Sequence, residues 1–301
     1  MIGRITNQMT SQMTLAGIET ALDRLDTTQQ ELSSGKSINQ PSDNPSGTAL
    51  ALQLNSDLSN LTSYSNNVTD GTGWAQAQSS ALTDVTNAVQ RIRELTLEAA
   101  NGSQTTADMQ ASAQEVNQLI DEIKQDANTQ YNGQYVFSGS ATSTAPYQSG
   151  SNDTYAGNSG TVTRTIGPNT TLTVSANMEG VLGNGQSAND GGLLDTLRTI
   201  ANDMQSGNGS AVNADLSSLD TNLNSLGGLS ASVGATQDRL QMAASRIQTL
   251  QASDTQVLSN TQDADMASTE ISYSTQQAAL TAALQAGASI VQKSLMDFLN
   301  G

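Results

Sequence analysis

The 301-residue sequence predicts a mainly α protein, an elongated antiparallel helical rod or coiled coil carrying a small β-rich insertion. Three observations predict it. Large apolar residues recur in alternating steps of three and four over long stretches. The composition is 36% hydrophobic and 3% aromatic and rich in Ala, Leu, Gln, Asn, Ser and Thr, which suits a narrow apolar stripe better than a broad core. The periodic stretches also lie almost palindromically about a glycine-rich middle, an order that brings the two chain ends together at one end of a rod.

The first stripe runs through Leu15, Ile18, Leu22, Leu25 and Leu32, with Gln29 in the missing seam position, and continues upstream on a looser face through Ile2, Ile5, Met9 and Met13. It predicts a helix over about 4–33, stopped by Ser33-Ser34-Gly35. Pro41, Asp43, Asn44 and Pro45 then form a turn cluster. Asn44 is placed as N-cap and Pro45 as the first residue of a second helix. Its stripe passes through Leu54, Leu61, Tyr64, Val68, Gly71, Ala75, Gln78, Leu82, Val85, Val89 and Ile92. Gly71 and Gly73 each weaken a helix by about 1 kcal/mol relative to alanine, but the register survives them, so one helix is expected over about 45–100, roughly 80 Å long at 1.5 Å per residue. Thr105 with Asp108 three residues on has the form of a capping box. Met109, Ala113, Val116, Ile120, Ile123 and Ala127 supply a third stripe and complete a helical hairpin.

Beyond Tyr131 the pattern changes. Residues 141–192 hold four charges, Asp153, Arg164, Glu179 and Asp190, among nine glycines. Short alternating runs at Tyr135–Phe137, Thr161–Ile166 and Thr171–Val174 predict strands, but large apolar residues are so sparse that an exposed, loosely built insertion is expected. A short helix near Leu193–Met204 follows. Periodicity then returns through Val212, Leu216, Leu219, Leu223 and Leu226, falters at Gly227-Gly228, and resumes through Leu229, Val233, Leu240, Ile247 and Val257. The resulting helix, about 210–265, equals the 45–100 helix in length, which suggests antiparallel partners. A last helix over about 269–299 carries Ile271, Leu280, Leu284, Ala288, Val291, Leu295 and Phe298. The expected domains are terminal helices at 1–40 and 266–301, a helical rod from 41–133 and 206–265, and the variable insertion at 134–205.

Chemistry is constrained by what is missing. There is no His and no Cys, so imidazole bases, thiolate nucleophiles, disulfides and the usual zinc sites are excluded. Zero cysteine suits a reducing cytosol and equally a chain that crosses compartments without acquiring a crosslink, so by itself it does not locate the protein. The opening residues lack the apolar stretch of a secretory signal, and no run approaches a membrane span. With 11 Lys+Arg against 28 Asp+Glu, a formal charge of −17 argues against nucleic acid or anionic membrane as partner.

Two short motifs resemble ligand loops. Gly35-Lys36-Ser37 has the ending of a phosphate-binding loop but Gln30 where glycine is required, and Asp263-Ala264-Asp265 starts like a calcium loop but lacks its later ligand and glycine. Acids such as Asp121 and Glu122 lie side by side on helices, where neighbours do not converge as an acid–base pair must. No catalytic, cofactor-binding or metal-ligating set is recognised, and the chain is read as a non-enzyme. The candidate site is an assembly interface made by the terminal stripes: Ile5, Met9, Leu15, Ile18, Leu22, Leu25, Leu32, Ile271, Leu280, Leu284, Val291, Leu295, Phe298 and Leu299. A finished two-helix coil within one chain is the simpler reading of these stripes. Ser, Thr, Gln and Ala at seam positions make such a pair poor, so the terminal helices are expected to order only against neighbouring subunits. A membrane-surface helix is disfavoured because residues 269–299 offer only Lys293 as a cation.

Ile5-Thr-Asn-Gln-Met9, Leu32-Ser-Ser-Gly-Lys36, Asn39-Gln-Pro-Ser-Asp43, Arg91-Ile-Arg-Glu-Leu95 and Asn101-Gly102 resemble the amino-terminal region of bacterial flagellins and flagellin-like proteins. The run from Ala127 to Gly139 (ANTQYNGQYVFSG) and the ending, from Gln276-Gln-Ala-Ala-Leu280 to Ser294-Leu-Met-Asp-Phe-Leu299, resemble the hook-filament junction proteins (hook-associated protein 3) more than flagellin. The resemblance covers about residues 1–140 and 210–299, leaves the insertion unplaced, and departs from the pattern in an extra Gly3. It implies an extracellular axial protein of the bacterial flagellum, placed at the hook–filament junction and exported by the flagellar type III route without a cleaved signal peptide. Implied partners are further copies of itself, the first hook-associated protein on the hook side, flagellin on the filament side, and a cytosolic export chaperone on the C-terminal helix. Alternatives are a minor flagellin, which would be spread through the filament, and a secreted adhesin acting through residues 141–192.

Overall fold

A computed structural model of the chain describes residues 7–102, 104–186 and 188–299; the side chains of residues 7, 8, 10 and 290–299 lie outside the described set. The elements, in order, are α1 (Asn7–Ser34), α2 (Pro45–Ala100), α3 (Thr106–Ala127), β1 (Gln130–Tyr131), β2 (Gln134–Tyr135), β3 (Thr163–Gly167), β4 (Thr170–Thr173), α4 (Glu179–Leu182), α5 (Leu193–Gln205), α6 (Gly209–Gln262) and α7 (Met266–Leu299). The fold is mainly α with small antiparallel strand pieces, as expected. It forms two compact units, one from Met1–Asn60 with Leu250–Gly301 and the other from Leu61–Thr249.

In the first unit α1 packs on α7. Gly287 is buried at their contact, and a methyl group placed on it would lie 3.3 Å from Ile18 Cδ1 and 3.4 Å from Thr14 Cγ2. The Thr28 hydroxyl, buried at the same seam, donates to Gln276 Oε1 at 2.7 Å. The two motifs that resembled ligand loops meet each other here. Lys36 and Asp263 form an isolated antiparallel bridge, the Ser37 amide donates to the Gln262 carbonyl at 2.7 Å, and the Ala264 amide donates to the Gly35 carbonyl at 2.9 Å. Both are therefore backbone clasps between the end of α1 and the start of α7. Asn44 caps α2 as expected, accepting from the Gly47 amide at 2.9 Å.

In the second unit α2 and α6 run antiparallel: Gly71 faces Leu240, and Arg93 pairs with Asp220 at 2.7 Å. Arg91 reaches Glu115 of α3 at 2.8 Å. The Thr105 capping box is present in both directions, and Met109, Ala113, Val116, Ile120, Ile123 and Ala127 are all buried. Helices α3 and α5 pack together. α5 turns Leu193, Leu194, Leu197, Ile200 and Met204 inward, and one continuous core collects these residues with the buried side of α6.

α2 is unbroken through Gly71 and Gly73, and α6 through Gly227 and Gly228, but the four glycines differ in cause. A methyl group on Gly73 would overlap the Tyr131 hydroxyl and sit 2.6 Å from its Cζ, whereas one on Gly227 or Gly228 meets nothing within 4 Å. Gly73→Ala is therefore expected to destabilise by about 1–3 kcal/mol through overpacking, even though alanine is the better helix former. Gly227→Ala should stabilise by roughly 0.5–1 kcal/mol. Urea unfolding of the two variants checks the opposite signs.

The insertion departs from expectation. It is not loosely built: Phe137, Tyr147, Tyr155, Leu172, Val174, Met178 and Leu182 are buried and belong to the same core as the helices. Few large side chains suffice because each is used at full depth and its polar tip is satisfied. Tyr147 Oη donates to the Gly183 carbonyl at 2.9 Å, and Tyr155 Oη donates to the Phe137 carbonyl at 2.9 Å. Among the described residues the strands form two hairpins, β1 with β2 and β3 with β4. The first turns through Asn132 (φ 49°) and Gly133 (φ 77°), the paired left-handed residues that a two-residue hairpin loop demands.

Candidate functional site

The assembly stripe lies on the α1–α7 pair. Along α1, Met9, Leu15 and Leu22 are exposed, while Ile18, Leu25 and Leu32 are half-buried. Along α7, Ile271 and Leu284 are exposed and Leu280 is half-buried. Each stripe is thus shared between two faces. Ile18 turns toward Gly287 of the other helix, whereas Leu15 (60% exposed) and Leu284 (51% exposed) stay open to solvent. Leu15, Ile18 and Leu284 come together around a groove of about 200 Å³, completed by Ser11, Thr14, Gly287 and Ala288. Ile5 lies outside the described residues, as do the side chains of Val291, Leu295, Phe298 and Leu299. Met13 and Met266 add to the exposed apolar surface of this unit.

A second cluster, in the other unit, has no counterpart in the sequence reading. Lys124 of α3 is 2% exposed and donates to the carbonyls of Gly150 at 2.6 Å and Asn152 at 2.9 Å and to Asp153 Oδ1 at 2.8 Å. Arg198 of α5 donates to Asp153 Oδ2 at 2.9 Å and to Asn117 Oδ1 at 2.8 Å. Burial alone would push the Asp153 carboxyl up, but the hydrogen bonds from Arg198 and Lys124, with their charges, hold it below the ordinary carboxylate range. All three donors of the ammonium are used, so the cluster latches the 150–153 loop onto α3 and α5 and leaves no group for chemistry.

Two other carboxyls are shifted the opposite way. Burial, then the charges of Asp84 and Glu122, push Asp126 up to about 6. Burial and the Asp203 carboxylate push Asp215 up to about 6. A raised folded-state pKa gives stability that is complete below the unfolded value of about 3.9 and is lost as pH rises through the folded value. The melting temperature is therefore expected to be higher at pH 5 than at pH 8. Asp126→Asn combined with Asp215→Asn should flatten that dependence and raise the pH 8 value.

Among the described residues no group of His, Cys, Asp and Glu could hold a metal ion, and no helix is long and apolar enough to cross a membrane.

In one unit α1 and α7 pair, and in the other a β-bearing insertion is carried between the long antiparallel helices α2 and α6. Residues 5–142 match the family described as the bacterial flagellin N-terminal helical region. Flagellin 1 of Proteus mirabilis is 39% identical over 125 residues, 41% of this chain and 34% of its own length; phase 1 flagellin of Salmonella naestved is 35% identical over 134 residues, 44% and 26% respectively. The matched part thus spans about a third or less of the length of these curated relatives. Across the fold, the chain is similar to a protein described as flagellar hook-associated from Vibrio parahaemolyticus (20% identity, TM-score 0.65, covering 73% of this chain and 100% of that one). It is also similar to FlgL of Bacillus cereus (20%, TM-score 0.59, 70% and 99%) and to the flagellar junction protein FlgL of Legionella pneumophila (15%, TM-score 0.57, 72% and 100%). The chain thus shares its fold with proteins described as flagellar hook-associated or as FlgL, while residues 5–142 match the flagellin amino-terminal family.

Proposed function

We propose that this chain is a non-enzymatic structural adaptor of the bacterial flagellum, placed at the hook–filament junction and assembled through its terminal helices. The observation that carries this reading is the fold, shared over about seven-tenths of the chain with proteins described as hook-associated or junction proteins. The open apolar side of the α1–α7 pair supports the assembly mode: Leu15, Leu22, Ile271 and Leu284 lie at the surface and gain by burial against neighbouring copies. Repeated contacts between unlike faces then build an axial assembly. The partners proposed are further copies of the chain, the first hook-associated protein below, flagellin above, and an export chaperone that holds α7 in the cytosol. The chain is proposed to leave the cell by the flagellar type III export route.

Immunogold labelling of isolated flagella tests the placement. A short labelled zone where hook meets filament is expected, and a strain without the protein should shed its flagellin. The flagellin relatives favour one second reading, a minor flagellin; label spread along the filament would establish it and overturn the junction role.

A further inference from the structure

We propose that the exposed face of α6 bearing Arg239, Met242 and Arg246 is a contact surface for a second copy of this chain. The inference rests on the self-assembly reading above and adds to it a surface on the other unit.

Residues 61–249 carry seventeen acidic and seven basic residues. Two such units repel one another, so they can pack side by side only where the surface potential is locally reversed. Five of the seven cations are already engaged: Arg91 with Glu94 and Glu115, Arg93 with Asp220, Lys124 and Arg198 with Asp153, and Arg164 with Asp70. Arg239 and Arg246 are the other two. Both are exposed, and neither has an ion-pair partner among the described residues.

Their placement on α6 is specific. Spaced seven residues apart, they lie on one face about 10 Å apart, with Met242 between them and 63% exposed. The helix offers them no acid, since the positions three and four residues away are Ala235, Thr236, Met242, Ala243, Thr249 and Leu250. Asp238 adjoins Arg239 in sequence but points about 100° around the helix. Val233, Leu240 and Ile247 are buried on another side of α6, so the helix is anchored by one face and presents the arginines on another. An exposed methionine flanked by arginines matches the residue types that interfaces concentrate. The strongly acidic chain itself is the complementary surface, whereas nucleic acid and anionic lipid would meet the repulsion of the whole unit.

The chain has no cysteine, so Met242→Cys supplies one attachment point for a maleimide–benzophenone crosslinker in the full-length protein. Irradiation of concentrated protein at low salt is expected to give adducts between copies, mapped by mass spectrometry to segments containing Asp or Glu. Adding Arg239→Glu and Arg246→Glu should cut the yield about tenfold with the melting temperature preserved, while Arg239→Lys with Arg246→Lys should retain it. Added salt should lower the yield through screening. An absent copy-to-copy adduct, a yield unchanged by charge reversal, or labelled isolated flagella that crosslink only to a different protein would each overturn the assignment. Failure of the junction reading is seen separately, in the immunogold position of the unlabelled protein.

Discussion

Asp153→Asn is expected to cost about 3–5 kcal/mol of stability, the usual effect of removing one partner from a buried ion pair. The asparagine keeps the size of the side chain but leaves the buried Lys124 ammonium and the partly buried Arg198 guanidinium without a counter-charge. An exposed pair provides the contrast: Arg93→Ala, which breaks the link to Asp220 where both side chains are about half exposed, should cost no more than about 1 kcal/mol. Because the Asp153 carboxyl is held low in the folded protein, its contribution is present above the unfolded value of about 3.9 and is lost as pH falls through the folded value. Urea unfolding of wild type and Asp153→Asn should therefore show a wide gap at pH 7 that narrows below pH 4. A gap that stays constant would mean the side chain acts through shape and not charge.

The second large effect is on assembly. Leu15→Glu, Ile271→Glu and Leu284→Glu change side chains that are 60%, 69% and 51% exposed, so each should leave the unfolding free energy of the isolated chain within about 0.5 kcal/mol of wild type. At a contact between copies the same positions each stand to bury an apolar side chain worth about 1.5–3 kcal/mol, and a carboxylate there loses that gain and adds a desolvation cost. Incorporation into flagella, measured by quantitative blotting of isolated filaments against the cytosolic pool, is expected to fall at least about tenfold for each. A variant that is stable and still incorporates normally would remove that residue from the interface.

How much of this could be read from residues alone varied with the range of the interactions. α3 was legible completely, because a capping box and a single-sided stripe are local features that Thr105, Asp108 and six apolar residues spell out within 23 positions. The long helices were legible through their glycines, since a register carried past Gly71 and Gly73 has no meaning in a turn. The reason for Gly73 was not legible, because Tyr131 lies 58 positions away and nothing near Gly73 points to it. The packing of the insertion is hidden from the sequence for a related reason. Phe137, Tyr147 and Tyr155 stand singly among polar residues, so no window shows a period, and their burial depends on helices elsewhere in the chain. Lys124 has the sequence setting of a solvated helix charge; its partners stand 26 to 29 positions away. The stripes on α1 and α7 identified the apolar faces. Seven-residue spacing cannot say which members of a stripe meet the sister helix and which stay uncovered, and the structure divides Ile18 from Leu15 on that point.

The packing around Trp74 also gives the protein an optical reporter. This is the chain's only tryptophan; it is fully buried on α2, in edge contact with the Tyr131 ring at 6.3 Å and beneath the Arg164 guanidinium at 5.8 Å. Both neighbours come from the segment that follows α3, so the indole's emission colour registers whether that segment is seated. If hairpin and helices melt as a single cooperative block, fluorescence and far-ultraviolet dichroism will trace the same curve. If the hairpins peel away first, a red shift will precede the loss of helicity.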